Sequence, residues 1–249
     1  MSDVYAPLRY DMKPNPGDCL IFYHEKFEDE EPRKGAGSEV EMLQSILQNF
    51  KFERFFVYKD PLEDKIETVL DEWVAKDHKN DSAVVVAVLT HGDEDTLSTY
   101  NTEYKPRQIW DKVAECEDLK GKPKIFIFQA CRGDVIDSGK GEVDGKKRQV
   151  DKYQDLYPTE PDMLVIYSST LYNPSMRGWM VQSINEAQAG NKCHGIDIMR
   201  VLTGANNIMN QKEDTVPGNE SENGQTPEKK IKQCLEVYST LRKELYLTP

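Results

Sequence analysis

Two residues whose side chains can do nucleophilic chemistry together stand just after strongly apolar segments. Cys131 follows the run at 125–128, and His91 follows the run at 83–89. A thiolate is a strong nucleophile, and a neighbouring imidazole can take the thiol proton or lower the thiol pKa. Gly92 follows His91 directly, and a glycine-flanked turn can supply backbone N–H groups to a developing oxyanion. The residue types therefore favour a reactive thiol in a substrate cleft.

Two other interpretations of the segment QACRGD, residues 129–134, stay open on these grounds. Arg132-Gly133-Asp134 is the tripeptide of cell-adhesion ligands, but that function requires an exposed extracellular loop, and here the tripeptide follows a strand-like run. The other interpretation is a turn that holds a small, inert cysteine, with His91 at the surface. Free cysteines are often small core residues of this kind.

The elements around the cysteine and the histidine predict a parallel α/β sheet. Seven consecutive apolar residues at 83–89, mostly β-branched and without alternation, indicate a strand buried on both faces. A helix predicted over 107–114 separates this strand from the next, which makes a βαβ unit with a right-handed crossover. Ligands bind at the carboxyl ends of such strands. We therefore expect His91 and Cys131 at the same edge of the sheet.

The remaining elements are predicted from apolar spacing and turn residues. Further strands are expected at 19–22, 55–57, Met163–Tyr167 and within 235–247, and further helices at 40–50, 62–73, 178–189 and 196–202. Asp60, Pro61 and Glu63 predict a capping box for the helix over 62–73, with an apolar face made of Leu62, Ile66, Val69, Leu70 and Trp73. Residues 211–228 have almost no apolar content and predict a mobile loop.

Composition disfavours several classes of partner and location. The 249 residues are enough for one large α/β domain or two small ones. The net charge of −12 disfavours nucleic acid and anionic lipid as partners. No apolar run approaches the roughly 20 residues of a membrane span. Because residues 1–18 also lack the apolar core of a signal peptide, a cytoplasmic location is expected.

The cysteines indicate free thiols in a reducing compartment. None of the five forms a C-x-x-C pair, so we expect no metal site and no cofactor. Apart from Cys131, the cysteines are expected to be small core residues, namely Cys19, Cys116, Cys193 and Cys234.

A pentapeptide and six further collinear stretches resemble the caspase family over nearly the whole chain. Gln129-Ala130-Cys131-Arg132-Gly133 matches the Q-A-C-[RQG]-G signature around the caspase nucleophile. Thr90-His91-Gly92 stands where caspases carry Ser-His-Gly. The other matching stretches are Pro16-Gly17 with 19–22, Arg33-Lys34-Gly35 with the helix after it, 121–124, 179–183 and 243–246.

The resemblance implies a caspase-like three-layer sandwich, with a central, mostly parallel six-stranded sheet and helices on both faces. Residues 1–18 would be a short leader of the executioner type, and 19–249 a single catalytic domain. Within that domain, 19–134 would be the large-subunit part, 135–160 the intersubunit linker and 161–249 the small-subunit part.

The implied activity is that of a cysteine endopeptidase that cuts after aspartate in apoptosis or related proteolytic signalling. Cys131 would be the nucleophile and His91 the general acid/base. The backbone N–H groups of Gly92 and Cys131 would form the oxyanion hole. The family has no side-chain third member, so no aspartate is sought beside the histidine.

The aspartate pocket needs fixed positive charge, because a buried carboxylate without a partner is very costly. Arginine meets a carboxylate through a planar fork and keeps its proton. The resemblance assigns Arg33, Gln129 and Arg177 to this pocket. Ser175 and Met176 complete the stretch that matches S-W-R, with Met176 in place of the tryptophan that usually walls the second subsite.

Activation and partners are also implied by the resemblance. The zymogen would be cut in the linker after Asp144, with Asp137 as a second site. The partners would be protein substrates carrying aspartate, a second copy or a related caspase paired through the terminal strand, and inhibitor-of-apoptosis proteins.

An alternative from a different class stays open. The short step from Arg177 to Trp179 and the polar 211–228 segment depart from the family pattern. They also fit a catalytically weak homologue that regulates an active caspase by pairing with it or by competing for inhibitors.

Overall fold

The computed structural model describes residues 8–133, 158–170, 175–176, 178–191, 195–217 and 228–246. The strands in chain order are β1 (Asp18–Tyr23), β2 (Arg54–Lys59), β3 (Val84–Leu89), β4 (Gly92–Asp93), β5 (Thr96–Ser98), β6 (Glu103–Tyr104), β7 (Lys124–Gln129), β8 (Met163–Tyr167), β9 (Asp214–Pro217), β10 (Glu228–Ile231) and β11 (Glu236–Ser239). The helices are α1 (Ala36–Asn49), α2 (Glu63–Val74), α3 (Pro106–Ala114), α4 (Trp179–Asn191) and α5 (Ile198–Gln211), and a 3-10 turn covers Glu117–Leu119.

Six of the strands form one central sheet, in the order β11-β8-β7-β3-β1-β2. All neighbours in this sheet are parallel except β11, which runs antiparallel to β8. A small antiparallel sheet, β4-β5-β6, follows the carboxyl end of β3, and β9 pairs with β10 in a separate hairpin. The predicted mostly parallel, six-stranded sheet is confirmed.

Helices cover both faces of the sheet, as predicted. α1, α4 and α5 pack on one face and α2 and α3 on the other, so the core has two halves. Strand β3 contributes side chains to both halves of the core: Val85 and Ala87 lie in one half, and Val84 and Val86 lie in the other. Burial on both faces explains why this strand is apolar without alternation.

The predicted capping box at the start of α2 is wrong. Asp60 lies before the helix in a left-handed backbone conformation, with φ of 49°. Its carboxylate accepts hydrogen bonds from the backbone N–H groups of Glu25, at 2.6 Å, and Lys26, at 3.1 Å. Leu62, predicted on the apolar face, is 43% exposed. Asp60 therefore fixes the chain after β1 rather than the helix.

The segment predicted as a mobile loop contains regular structure at both of its ends. β9 and β10 pair in antiparallel register from Glu228–Pro217 to Ile231–Asp214. Glu213 is also paired with Lys230, at 3.0 Å, and Lys232, at 3.3 Å. Backbone pairing and these charges stabilise a hairpin that composition alone did not indicate. Residues 218–227 lie outside the described part of the chain.

The two ends of the described chain are joined near the amino end of β8. Tyr10 donates its hydroxyl to Asp162 at 2.6 Å, and Arg242 donates Nε to the same carboxylate at 3.0 Å. Burial raises the pKa of Asp162, but hydrogen bonds from Arg242 and Tyr10 outweigh it, and the net pKa is lowered. This buried charge therefore connects segments far apart in sequence.

Candidate active site

The cysteine and the histidine follow the carboxyl ends of neighbouring parallel strands. Leu89 of β3 lies opposite Gln129 of β7, and the N–H of Thr90 donates to the carbonyl of Gln129 at 3.0 Å. His91 and Cys131 each follow this paired position by two residues, so the register places them at the same edge of the sheet. This is the arrangement expected from the two apolar runs.

Gly92 is confined between β5 and the residues that follow β7. A Cβ built on Gly92 would lie 3.2 Å from the carbonyl oxygen of Cys131 and 2.4 Å from the carbonyl oxygen of Thr96. A contact of 2.4 Å is not tolerated, so the close approach of β5 to the backbone at Gly92 requires a glycine at this position.

His91 is oriented by a backbone carbonyl. Its Nε2 lies 2.7 Å from the carbonyl oxygen of Glu31. Because a carbonyl only accepts, Nε2 carries a proton, and Nδ1 is the nitrogen that accepts a proton in the neutral ring. The ring also packs against Phe27, with 4.6 Å between ring centroids, and Glu30 places a carboxylate oxygen 3.9 Å from Nδ1. Residue types alone did not reveal Glu31, because any residue carries a backbone carbonyl.

The environment of Cys131 differs from that of the core thiols. Its Sγ accepts a hydrogen bond from the backbone N–H of Ser175 at 3.3 Å, and the side chain is partly exposed. Cys19 and Cys116 are buried, and burial raises the pKa of both thiols, which keeps them protonated and unreactive. Cys234, predicted as a core residue, is only partly buried. Cys193 lies outside the described residues.

Two of the predicted pocket residues are buried at this edge of the sheet. Arg33 is 4% exposed, donates Nη1 to the carbonyl of His24 at 3.3 Å and pairs with Glu39 at 3.2 Å. Gln129 is 2% exposed and donates Nε2 to Ser175 Oγ at 2.8 Å. Its Oε1 has no hydrogen-bond partner among the described residues.

Arg33 and Gln129 flank the end of β3. Arg33 is bonded just beyond β1 and Gln129 ends β7, so they are separated by two strand spacings, roughly 10 Å. The third predicted pocket residue, Arg177, and the predicted cleavage sites Asp137 and Asp144 lie outside the described residues.

Gln233 holds the stretch of Ser175 and Met176 against the sheet. Its Oε1 accepts from the N–H of Met176 at 2.7 Å, and its Nε2 donates to the carbonyl of Ser168 and, at 3.2 Å, to Ser175 Oγ. Ser175 Oγ donates to Ser168 Oγ at 2.7 Å. Sequence reasoning missed Gln233, because a lone glutamine before a terminal strand has no distinguishing pattern.

The arginine of the Arg-Gly-Asp tripeptide faces the interior. Arg132 is 3% exposed, pairs with Glu236 at 2.8 Å and lies 3.9 Å from the centroid of the Tyr167 ring. An adhesion ligand must present its guanidinium at the surface, so this geometry disfavours the adhesion interpretation.

The doubly covered sheet, with a thiol and an imidazole at its carboxyl edge, defines an α/β domain of the caspase-like class. The family model described as the caspase domain matches residues 16–246, and the chain belongs to the caspase family.

Known relatives agree with this assignment. Mouse caspase-8 is 29% identical over 268 residues, which cover 96% of this chain and 53% of the relative. Caspase drICE of Drosophila melanogaster is 32% identical over 210 residues, which cover 78% of this chain and 60% of the relative. The chain thus spans about half to three fifths of the length of these relatives.

A solved structure shares the fold. The crystal structure of caspase-1 from Spodoptera frugiperda superposes with a TM-score of 0.79 at 26% identity and covers 99% of this chain and 95% of that one. Within the described part of the chain, no helix has both the length and the apolar character needed to cross a membrane.

Proposed function

We propose that the chain is a cysteine endopeptidase that cleaves peptide bonds after aspartate. The observation that carries the proposal is the placement of Cys131 and His91 after adjacent strand ends, with the Glu31 carbonyl on Nε2 of the imidazole. This leaves Nδ1 of His91 as the base. Family membership supports the same activity.

The proposed reaction proceeds through an acyl-enzyme. Nδ1 of His91 takes the proton of the Cys131 thiol, and Sγ attacks the backbone carbonyl carbon of the substrate aspartate. The N–H groups of Gly92 and Cys131 donate to the oxyanion. The imidazolium then protonates the leaving amine as the C–N bond breaks. Finally, a water that gives its proton to His91 hydrolyses the thioester and restores the thiol.

Recognition of aspartate is assigned to Arg33, Gln129 and Arg177. Arg33 already donates to the carbonyl of His24 and to the carboxylate of Glu39, but a guanidinium has five N–H donors. A substrate carboxylate would share the guanidinium of Arg33 with Glu39. Arg177 would supply the second guanidinium of the pocket. Ser175 and Met176 would line the path of the substrate backbone.

Processing and assembly belong to the same proposal. Cleavage after Asp144, or after Asp137, would convert a zymogen to the active form. The edge strand β11 would pair the chain with a second copy or with a related caspase. Inhibitor-of-apoptosis proteins are proposed as regulators, apoptosis or related signalling as the process, and the cytoplasm as the location.

The test is turnover of a fluorogenic peptide with aspartate before the scissile bond. The wild type should cleave this peptide and not its asparagine counterpart, and Cys131→Ala should abolish turnover with unchanged unfolding. Cys234→Ala, which removes another partly buried thiol, is the matched control and should keep full activity. Turnover that persists in Cys131→Ala would exclude Cys131 as the nucleophile.

A second candidate is a weakly active homologue that regulates an active caspase. Two contacts favour it: Glu39 occupies part of the Arg33 fork, and the N–H of Ser175 lies against the Cys131 sulfur. This candidate predicts no turnover by the chain alone, both before and after cleavage at Asp144. It also predicts that adding the chain to an active caspase changes the rate of that caspase.

A further inference from the structure

A groove lies between α2 and α3, on the helical layer that covers one face of the sheet. We call it the α2–α3 groove and define it by its lining residues: Glu63, Ile66, Glu67, Leu70, Tyr104, Gln108, Ile109, Asp111, Lys112 and Glu115. Its cavity measures about 180 Å³. A cavity of roughly 150 Å³ holds a benzene molecule, so the space is sufficient for one long side chain.

The inner part of the groove combines an apolar wall with one unsatisfied polar group. Ile66, Leu70 and Ile109 supply the apolar surface. Tyr104, which also lines the groove, is 4% exposed, and its hydroxyl has no hydrogen-bond partner within the described residues. Burial, and then the charge of Glu63, raise the pKa of this hydroxyl. Because buried hydroxyls are normally paired, Tyr104 indicates a ligand that supplies the missing partner.

The α2 side of the groove carries negative charge that no described cation balances. Glu63 and Glu67 lie one turn apart, about 6 Å along the helix axis. Within the described ranges, Glu63 accepts hydrogen bonds only from neutral donors, Gln108 at 3.2 Å and Thr102 at 3.4 Å. Glu67 has no ion pair in the part of the chain that the structure describes. Like charges at this spacing repel each other, so a bound cation would relieve the repulsion.

The α3 side of the groove is different, because its carboxylates already have cations. Arg107 pairs with Asp111 at 2.8 Å, and Lys112 pairs with Glu115 at 3.5 Å. Lys112 also pairs with Asp71 at 2.8 Å. The unbalanced charge is therefore concentrated on α2, next to the apolar wall.

We propose that the α2–α3 groove docks a lysine side chain from a basic segment of a protein partner. The four-carbon stem packs on Ile66 and Leu70. The ammonium group donates to the carboxylates of Glu63 and Glu67 and to the hydroxyl oxygen of Tyr104. Lysine fits because its head group only donates hydrogen bonds and its stem is long and apolar. The groove carries two unbalanced carboxylates, whereas one ammonium group brings a single positive charge. This difference favours a segment with more than one basic residue.

Docking in this groove does not involve Cys131 or His91 and goes beyond the proposed peptidase activity. It is therefore measured as binding, and its outcome is separate from the test of catalysis. The probe is a fluorescein-labelled peptide, Gly-Ser-Lys-Gly-Lys-Ser-Gly, with the same peptide acetylated on both lysines as its matched counterpart. Acetylation keeps the stem and removes the charge.

Fluorescence anisotropy should show that the lysine peptide binds and that the acetylated peptide binds at least about tenfold more weakly. Glu67→Gln should weaken binding about twofold to fivefold, because an exposed carboxylate contributes modestly. Glu41→Gln, the same change at an exposed position of α1 on the other helical layer, should leave binding unchanged. If the two variants weakened binding equally, the general acidity of the surface would explain the binding, and the proposal would be overturned.

Tyr104→Phe gives an independent check. The hydroxyl has no hydrogen-bond partner among the residues that the structure describes, so its removal should leave the free energy of unfolding unchanged or raised. The same change should weaken binding of the lysine peptide about threefold or more. Loss of stability, unchanged affinity, or equal binding of the acetylated peptide would each overturn the proposed site.

Discussion

Replacement of Gly92 by alanine tests how closely the backbone at Gly92 approaches β5 and the chain that follows β7. The added Cβ would lie 2.4 Å from the carbonyl oxygen of Thr96 and 3.2 Å from that of Cys131. Ordinary C···O contacts are roughly 3.3–3.6 Å, so the backbone must move by about 1 Å to relieve the first contact. The movement displaces either β5 or the turn that carries His91.

The expected size of the effect follows from this displacement. Overpacking of this kind costs about 1–3 kcal/mol of the free energy of unfolding. Displacing catalytic groups by about 1 Å lowers the rate on the order of a hundredfold. A hundredfold loss of rate corresponds to about 2.7 kcal/mol, so Gly92→Ala should lower the activity and the stability by similar free energies.

Gly204→Ala is the matched control for this substitution. Its Cβ would meet Ala187 at 3.6 Å, an ordinary contact, and alanine is favoured over glycine inside a helix by about 1 kcal/mol. Urea unfolding gives the stability, and kcat/KM on the aspartate peptide gives the activity. If the wild type turns over no peptide, the alkylation rate of Cys131 by iodoacetamide replaces kcat/KM. A Gly92→Ala protein that matches Gly204→Ala in both measurements would refute the argument.

Two further substitutions test contacts outside the thiol–imidazole pair. Gln233→Met keeps the side-chain volume but leaves the N–H of Met176 and the carbonyl of Ser168 without their hydrogen-bond partner. We expect the free energy of unfolding in urea to fall by about 2–4 kcal/mol. An unchanged urea midpoint would contradict this. Asp162 has a lowered pKa, held mainly by Arg242, so its stabilisation is present above about pH 4 and is lost as pH falls through the folded-state pKa. Asp162→Asn should lower the melting temperature at neutral pH and make it fall less steeply as the pH is lowered. If the melting temperatures of Asp162→Asn and the wild type fell identically in acid, Asp162 would contribute nothing.

Local patterns were sufficient to predict most of the elements. The unbroken apolar runs of β3 and β8 predicted strands covered on both faces, because such strands have no solvent side on which to place polar residues. The pattern of Ile66, Val69, Leu70 and Trp73 predicted the buried face of α2, and these residues are buried. Regular structure inside a polar segment is harder to predict. The hairpin of β9 and β10 depends on backbone pairing, which amino-acid composition does not indicate.

The sequence by itself also determined the family and placed Cys131 and His91 after successive parallel strands, because their types and spacing are local features. Only the tertiary structure decided that the Glu31 carbonyl orients the imidazole and that Gln233 secures Ser175 and Met176. Those contacts are made by backbone groups or by residues distant along the chain, so they have no residue-type pattern. They exist only once the sheet has brought the strand ends together.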